Sequence, residues 1–326
     1  MRAVTLVAPG RITVAQDWPE PEPGPSEVLV EIRGVGLCGS DASVVAGHRA
    51  VPRHPWVLGH EAYGVIRGVG SAVSDRREGQ VVAIEPNYPC GSCPRCLSGA
   101  TSGCVRRRIV GISEPGLLAE RVAVPAAFAW PVPDDWRAED IVCVEPLSVA
   151  FNAVGLAGIT PGERCLVLGA GSQGQFVCLA AAQAGALVHA TDPHDGRLAL
   201  ARELGARPDD GEDYSIVIET SGAPAAFEQA VERAAHGGRV VVVGQSTTPA
   251  RIPTFRIVQR RLTIRGCLIY DHPTGFARTI AAMSDSDLAP GRVLRARFDV
   301  ADAPRAFAES PDIPGKTWIS FEEKSA

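Results

Sequence analysis

Four cysteines crowd one short segment. Cys90, Cys93, Cys96 and Cys104 stand as C-x2-C-x2-C-x7-C in PCGSCPRCLSGATSGC. Four thiolates close a tetrahedron around Zn²⁺ and leave no open position, the pattern of a structural metal site. Gly91, Pro94, Gly99 and Gly103 let the backbone turn tightly enough for the sulfurs to meet. Chelation of this kind contributes roughly 10–16 kcal/mol in small zinc peptides, enough to order a lobe with little core of its own.

A second set lies upstream, in Cys38-Gly39-Ser40-Asp41 and Gly59-His60-Glu61. One thiolate and one imidazole are part of a catalytic zinc set, which keeps one position open. Two carboxylates qualify as the further ligand: Glu61 beside His60, and Glu145 in CVEPLSVAFNAV. Such a centre acidifies an alcohol or polarises a carbonyl. Ser40, two residues after Cys38, is placed to pass the proton away, and Asp41 to support a ligand from behind.

A third pattern, Gly169-Ala-Gly171-Ser172-Gln173-Gly174, is G-x-G-x-x-G. It follows an expected strand, opens an expected helix with Ser172 as N-cap, and precedes an acid, Asp192, at the end of the next strand. Gly169 permits the turn, Gly171 lets the backbone approach a pyrophosphate, and Gly174 lets helix pack on sheet. The helix N-terminus offers free N–H groups to phosphate. Asp192 suits ribose hydroxyls and repels a 2′-phosphate, so NAD(H) is favoured over NADP(H). Arg197 could favour a phosphate, but in GRLALARELG it reads as an exposed helix face.

Two kinds of domain must position these groups in 326 residues. Up to about residue 150, β-rich runs separated by Gly and Pro (RAVTLV, EVLVEIRGVG, AYGVIRGVG, QVVAIEP, AERVAVP) suit a small barrel-like domain. Beyond it RCLVLG, LVHATD, SIVIET, RVVVVG and LTIRGCLIY alternate with helical stretches, which argues for an α/β parallel sheet. The tail from RVLRARFDV to KTWISF returns to β character and is expected to fold back on the first domain. The chain is 45% hydrophobic and 21% charged, so a sizeable core is expected. Its net charge of −5 argues against a nucleic-acid footprint, and Arg106 to Arg108 read as a solvated loop. No signal peptide or membrane span is visible, so a reducing cytoplasm is expected, with Cys143, Cys165, Cys178 and Cys267 as packing thiols.

GLCGSD, GHEAYGVIRGVG, the four-cysteine loop, VEPLSVAFNAV, GAGSQG and LTIRG together resemble the zinc-dependent medium-chain dehydrogenase family, over nearly the whole chain. The resemblance implies a GroES-like catalytic domain over 1–150 and 290–326, carrying a catalytic and a structural zinc, and a Rossmann NAD-binding domain over 151–289. It implies Cys38, His60 and a glutamate as ligands of the catalytic zinc, and a homo-oligomer, dimer or tetramer, joined edge to edge through LTIRGCLIY. Glu145 in the E-P-L-S-V motif is similar to the acid of the polyol and sorbitol dehydrogenase branch, which leaves Glu61 as a ligand or an exchanging ligand. LCGSD, VEPLSVAFNAVGLAGITPGE and RIVQRRLTIRG further resemble cyclitol and aminocyclitol dehydrogenases of aminoglycoside pathways.

Three departures stand out. Ser43 occupies the place of a relay histidine, Gln173 that of an apolar residue, and Leu204–Tyr214 is short, as if a helix or strand at the edge of the cofactor domain were missing. The expected activity is hydride transfer between NAD(H) and a secondary alcohol, a polyol, cyclitol or aminocyclitol. His48, Arg49, His54, Tyr88 and His272 are candidates to grip the substrate. L-Threonine or simple alcohol oxidation on the same scaffold is the alternative, and a non-catalytic zinc-ribbon module the remote one.

Overall fold

The computed structural model describes residues 1–322. Its chain divides into two compact units, one of Met1–Glu145 together with the chain from Leu294 onward, the other of Pro146–Val293.

The first unit is built on antiparallel pairing. Glu27–Gly36 is the central strand, bonded to Glu61–Val69, to Arg121–Pro125 and, at its C-terminal end, to Lys316–Ser320. Val28, Val30 and Ile32 alternate inward along it, the period of two that a half-buried strand requires. Beyond Glu61–Val69 follow Val81–Ile84 and Ala129–Pro131. A smaller sheet holds Arg11–Ala15, Ala3–Ala8 and Trp56–Val57. The tail joins this unit: Leu294–Asp299 runs parallel to Lys316–Ser320, and Phe298, Val300, Ala303, Ala306 and Ile319 enter its core.

The second unit carries a six-stranded, all-parallel sheet in the spatial order Arg207–Pro208, Leu187–Thr191, Arg164–Leu168, Tyr214–Glu219, Ala234–Val242, Thr263–Gly266. This is the 3-2-1-4-5-6 order of a dinucleotide-binding sheet, and the order reverses at Arg164–Leu168, the strand that feeds the glycine motif. The buried run Cys165 to Leu168 lacks alternation because both faces are covered.

Two expectations need correction. LTIRGCLIY is a strand only over Thr263–Gly266; beyond it Cys267 and Tyr270 turn inward while Leu268 stays exposed. The helix Ser172–Gln183 has Gly171, not Ser172, as its N-cap, since Gly171 holds the extended backbone. The short Leu204–Tyr214 segment keeps a two-residue strand, Arg207–Pro208, and has no helix before Tyr214.

Candidate metal centres and dinucleotide site

All nine cysteines are free thiols. The sulfurs of Cys90, Cys93, Cys96 and Cys104 lie within 4.8 Å of one another, with Cys93 Sγ 3.5 Å and Cys90 Sγ 3.9 Å from Cys96 Sγ. A tetrahedron of sulfurs at the usual Zn–S length has edges of about 3.8 Å, so the cluster fits zinc. The backbone N–H of Ser92 and the Arg106 guanidinium pull the Cys90 thiol down to about 5, which favours the thiolate a metal needs. Arg106 donates to Cys90 Sγ and to Ser92 Oγ, Arg107 to the Ser102 carbonyl, and Arg108 lies over the Tyr88 ring and near Glu114. The basic run thus braces the cysteine loop instead of standing free in solvent.

Cys38, His60 and Glu61 form a second group, each with a ligand atom within 4.8 Å of the others. Cys38 caps the short helix Gly39–Val45, and Glu61 opens the strand Glu61–Val69 with His60 just before it. Asp41 joins the two segments. Its Oδ1 lies 3.0 Å from His60 Nδ1, and its Oδ2 accepts the Cys38 N–H at 3.0 Å. That leaves His60 Nε2 as the ligand atom, with Ser40 Oγ 3.3 Å away. Burial disfavours charge on His60, but Asp41 and the Cys38 sulfur outweigh it and raise its pKa well above the ordinary value. Thiolate, imidazole and carboxylate donors gathered this closely fit a divalent cation. The group does not include Glu145, which is buried in the first turn of the helix Val144–Ala157.

Lys316 was invisible to sequence reasoning. It is 1% exposed, and its ammonium lies 2.5 Å from Glu61 Oε2 and donates to the Leu37 carbonyl at 3.0 Å. Burial works against that ammonium, but Glu61 and Cys38 hold its pKa above the ordinary lysine value. A lysine in GKTWIS has no local mark that says it is buried.

In the second unit Gly169 sits at φ +91°, open to glycine at little cost, and a Cβ on Gly174 would collide with the Gly169 carbonyl. Such a cradle fits a pyrophosphate at the N-terminus of Ser172–Gln183. Asp192 Oδ2 accepts the Ala170 N–H and Oδ1 the His194 N–H, both at 2.8 Å, so the acid also fixes the loop it serves. Arg197 is 3.9 Å from Asp192, and Gln173 Nε2 donates to the Pro146 carbonyl. Two further residues escaped notice. Buried Gln175 ties the Ala170 carbonyl to that of Arg197, and Glu219 Oε1 accepts the N–H groups of Ser221 and Gly222. A polar residue inside an apolar helix, and an acid ending an apolar strand, were the available signals.

Of the candidate substrate groups, His54 Nδ1 is bound to the Leu6 carbonyl and Tyr88 packs on Phe128, so both serve the scaffold. His48 and Arg49 are exposed, and His272 is half-buried.

The pattern of the alcohol dehydrogenase GroES-like domain matches residues 24–134, and that of the zinc-binding dehydrogenases matches 209–285. The chain is 32% identical over 330 residues to a sorbitol dehydrogenase of Macaca fascicularis, covering 94% of this chain and 91% of that one. It is 30% identical over 333 residues to an L-threonine 3-dehydrogenase of Saccharopolyspora erythraea, covering 94% and 95%. An alcohol dehydrogenase of E. coli CFT073, solved with NADH, superposes with a TM-score of 0.91 at 26% identity, covering 98% and 99%. The fold and the two cysteine-bearing groups define a zinc-type alcohol dehydrogenase. The chain belongs to the zinc-dependent medium-chain alcohol and polyol dehydrogenase family.

Proposed function

We propose that the protein transfers hydride reversibly between NAD(H) and a secondary alcohol or its ketone, with a polyol, cyclitol or aminocyclitol as substrate. The observation that carries this is the gathering of Cys38, His60 and Glu61 in a chain whose other unit bears the glycine cradle and Asp192. Cys38 and His60 would hold the catalytic zinc with Glu61 or Glu145 as carboxylate, and Cys90, Cys93, Cys96 and Cys104 the structural one. When bound, the catalytic zinc supplies Lewis acidity toward a substrate oxygen.

This chain's residues do the rest. Asp41 fixes the tautomer of His60. Ser40 relays the substrate's hydroxyl proton, accepting it while its own hydroxyl proton passes to solvent, since position 43 is a serine that offers no base. Gly169, Gly171, Ser172, Gln173 and Gly174 cradle the pyrophosphate. Asp192 selects NAD(H), and Arg197 flanks it. His48, Arg49 and His272 remain available to grip hydroxyl or amino groups.

The sorbitol dehydrogenase relative supports a polyol, and the E-P-L-S-V motif supports that branch. L-Threonine is the second reading, supported by the threonine dehydrogenase relatives to a similar degree. No helix among the described residues is long and apolar enough to cross a membrane. A cytoplasmic homo-oligomer, with a role in aminoglycoside biosynthesis, completes the proposal. A panel of cyclitols, aminocyclitols, linear polyols, threonine and simple alcohols, assayed side by side for NADH formation, decides the substrate class. Preference for threonine by more than tenfold in kcat/KM would overturn the polyol reading.

A further inference from the structure

Four residues close a ring at the edge of the candidate dinucleotide site. Gln175 lies in the first turn of the helix Ser172–Gln183, where side chains lean back toward the helix N-terminus. Its fully buried amide reaches back to the Ala170 carbonyl in the glycine turn. The same Nε2 donates to the Arg197 carbonyl in the helix Asp195–Glu203, and both bonds are 2.8 Å. An amide oxygen turned toward two carbonyls would repel them, so only one orientation of this amide serves. From Ala170 the ring runs through its N–H to Asp192 Oδ2 at 2.8 Å, and from Oδ2 to the Arg197 guanidinium at 3.9 Å. Arg197 is therefore held at both ends, by its carbonyl to Gln175 and by its guanidinium beside Asp192. The Asp192 side chain is 4% exposed and that of Arg197 31%, so the guanidinium is the member of the ring that a ligand meets first.

We propose that Gln175 is a positioning residue that sets cofactor selectivity. By pinning the Arg197 turn to the glycine loop, it keeps the guanidinium paired with Asp192 and withheld from the 2′ position of a bound adenosine ribose. This rests on the reading of the glycine cradle and Asp192 as the dinucleotide site. With the ring intact, a 2′-phosphate meets the Asp192 carboxylate and gains no cation in return. Without the amide the Arg197 turn is untied, and its guanidinium turns outward as a donor to a 2′-phosphate.

The test measures dissociation constants of NADH and NADPH by cofactor fluorescence, with no alcohol present. It compares wild type, Gln175→Leu, Arg197→Gln, the double variant Gln175→Leu/Arg197→Gln, and Asp192→Ala. Gln175→Leu is expected to shift the ratio of the two affinities about tenfold toward NADPH, the scale of one charge-assisted hydrogen bond. The double variant should lose that shift, because the shift runs through Arg197. If Gln175→Leu does not fold, Gln175→Met takes its place. An unchanged ratio overturns the proposal, and equal weakening of both cofactors marks an amide that only supports the turn. A shift that survives in the double variant overturns it as well. Asp192→Ala separates the two readings. If it leaves both affinities unchanged, the dinucleotide assignment itself fails; if it alters them while Gln175→Leu keeps the wild-type ratio, only the role of Gln175 fails.

Discussion

Asp41 shows how much one carboxylate can organise. It orients His60 through Nδ1 and receives the Cys38 N–H, so both candidate ligands depend on it. Asp41→Asn should weaken metal binding at the catalytic site about 10–100-fold, read as zinc lost on dialysis against a graded chelator, while the four-cysteine site keeps its metal. Asp192 has a parallel double role. Asp192→Ala removes the acceptor of the Ala170 and His194 N–H groups as well as the proposed ribose partner. Its KM for NAD should rise more than about tenfold with kcat changed far less, because the loss is one of uniform binding. Cys38, His60 and Asp41 were legible in sequence because their types and short spacing carry the chemistry. Lys316 was not, since Leu37 and Glu61 are partners that only the fold brings near, whereas Glu219 binds the nearby Ser221 and Gly222 and carried only the faint mark of an acid ending an apolar strand. Glu145 was legible as a candidate, yet the group of close ligand atoms contains Glu61 in its stead.

Among elements, the segment between Leu204 and Tyr214 is the most distinctive. It holds one two-residue strand, Arg207–Pro208, and is tied down by side chains. Arg233 holds Asp209 through two contacts of 2.5 Å, Arg164 holds Asp210 at 2.7 Å, and the Tyr214 hydroxyl donates to Asp209. Both guanidiniums also lie over the Tyr214 ring. Tyr214→Phe should cost about 1–2 kcal/mol, since it strips a buried donor from charged acceptors. The change should appear as faster hydrogen exchange in Tyr214–Glu219 while the first unit is unaffected. Burial would raise the Asp209 carboxyl, but Arg233 outweighs it, and Arg164 lowers Asp210. Both folded-state values are depressed. Their stabilisation is thus complete above the unfolded value of about 4 and fades as pH falls below it. The exchange difference between wild type and Asp209→Asn should be constant above about pH 5 and shrink progressively as pH falls below about 4. Sequence periodicity revealed Arg164–Leu168, Leu187–Thr191 and their helices because alternation and glycine punctuation are local signals. It overran at LTIRGCLIY, where the apolar run continues but the sheet ends at Gly266.

At the scale of the whole molecule, the chain leaves its first unit after Glu145 and returns to it at Leu294. The return strand delivers Lys316 to Glu61 and Leu37, beside the candidate metal group. Two candidate metal groups per chain imply two ions with different duties. Cys104→Ser should remove one ion and lower the unfolding temperature of the first unit, because a closed four-thiolate site contributes folding free energy. Zinc content and NADH formation, recorded together on wild type and Cys38→Ser, decide whether Cys38 holds a catalytic ion. The wild type should carry two zinc ions and turn over a polyol-class alcohol, and the variant should carry one zinc ion and lose turnover. Unchanged turnover in Cys38→Ser protein, with its zinc content also unchanged, would contradict that assignment.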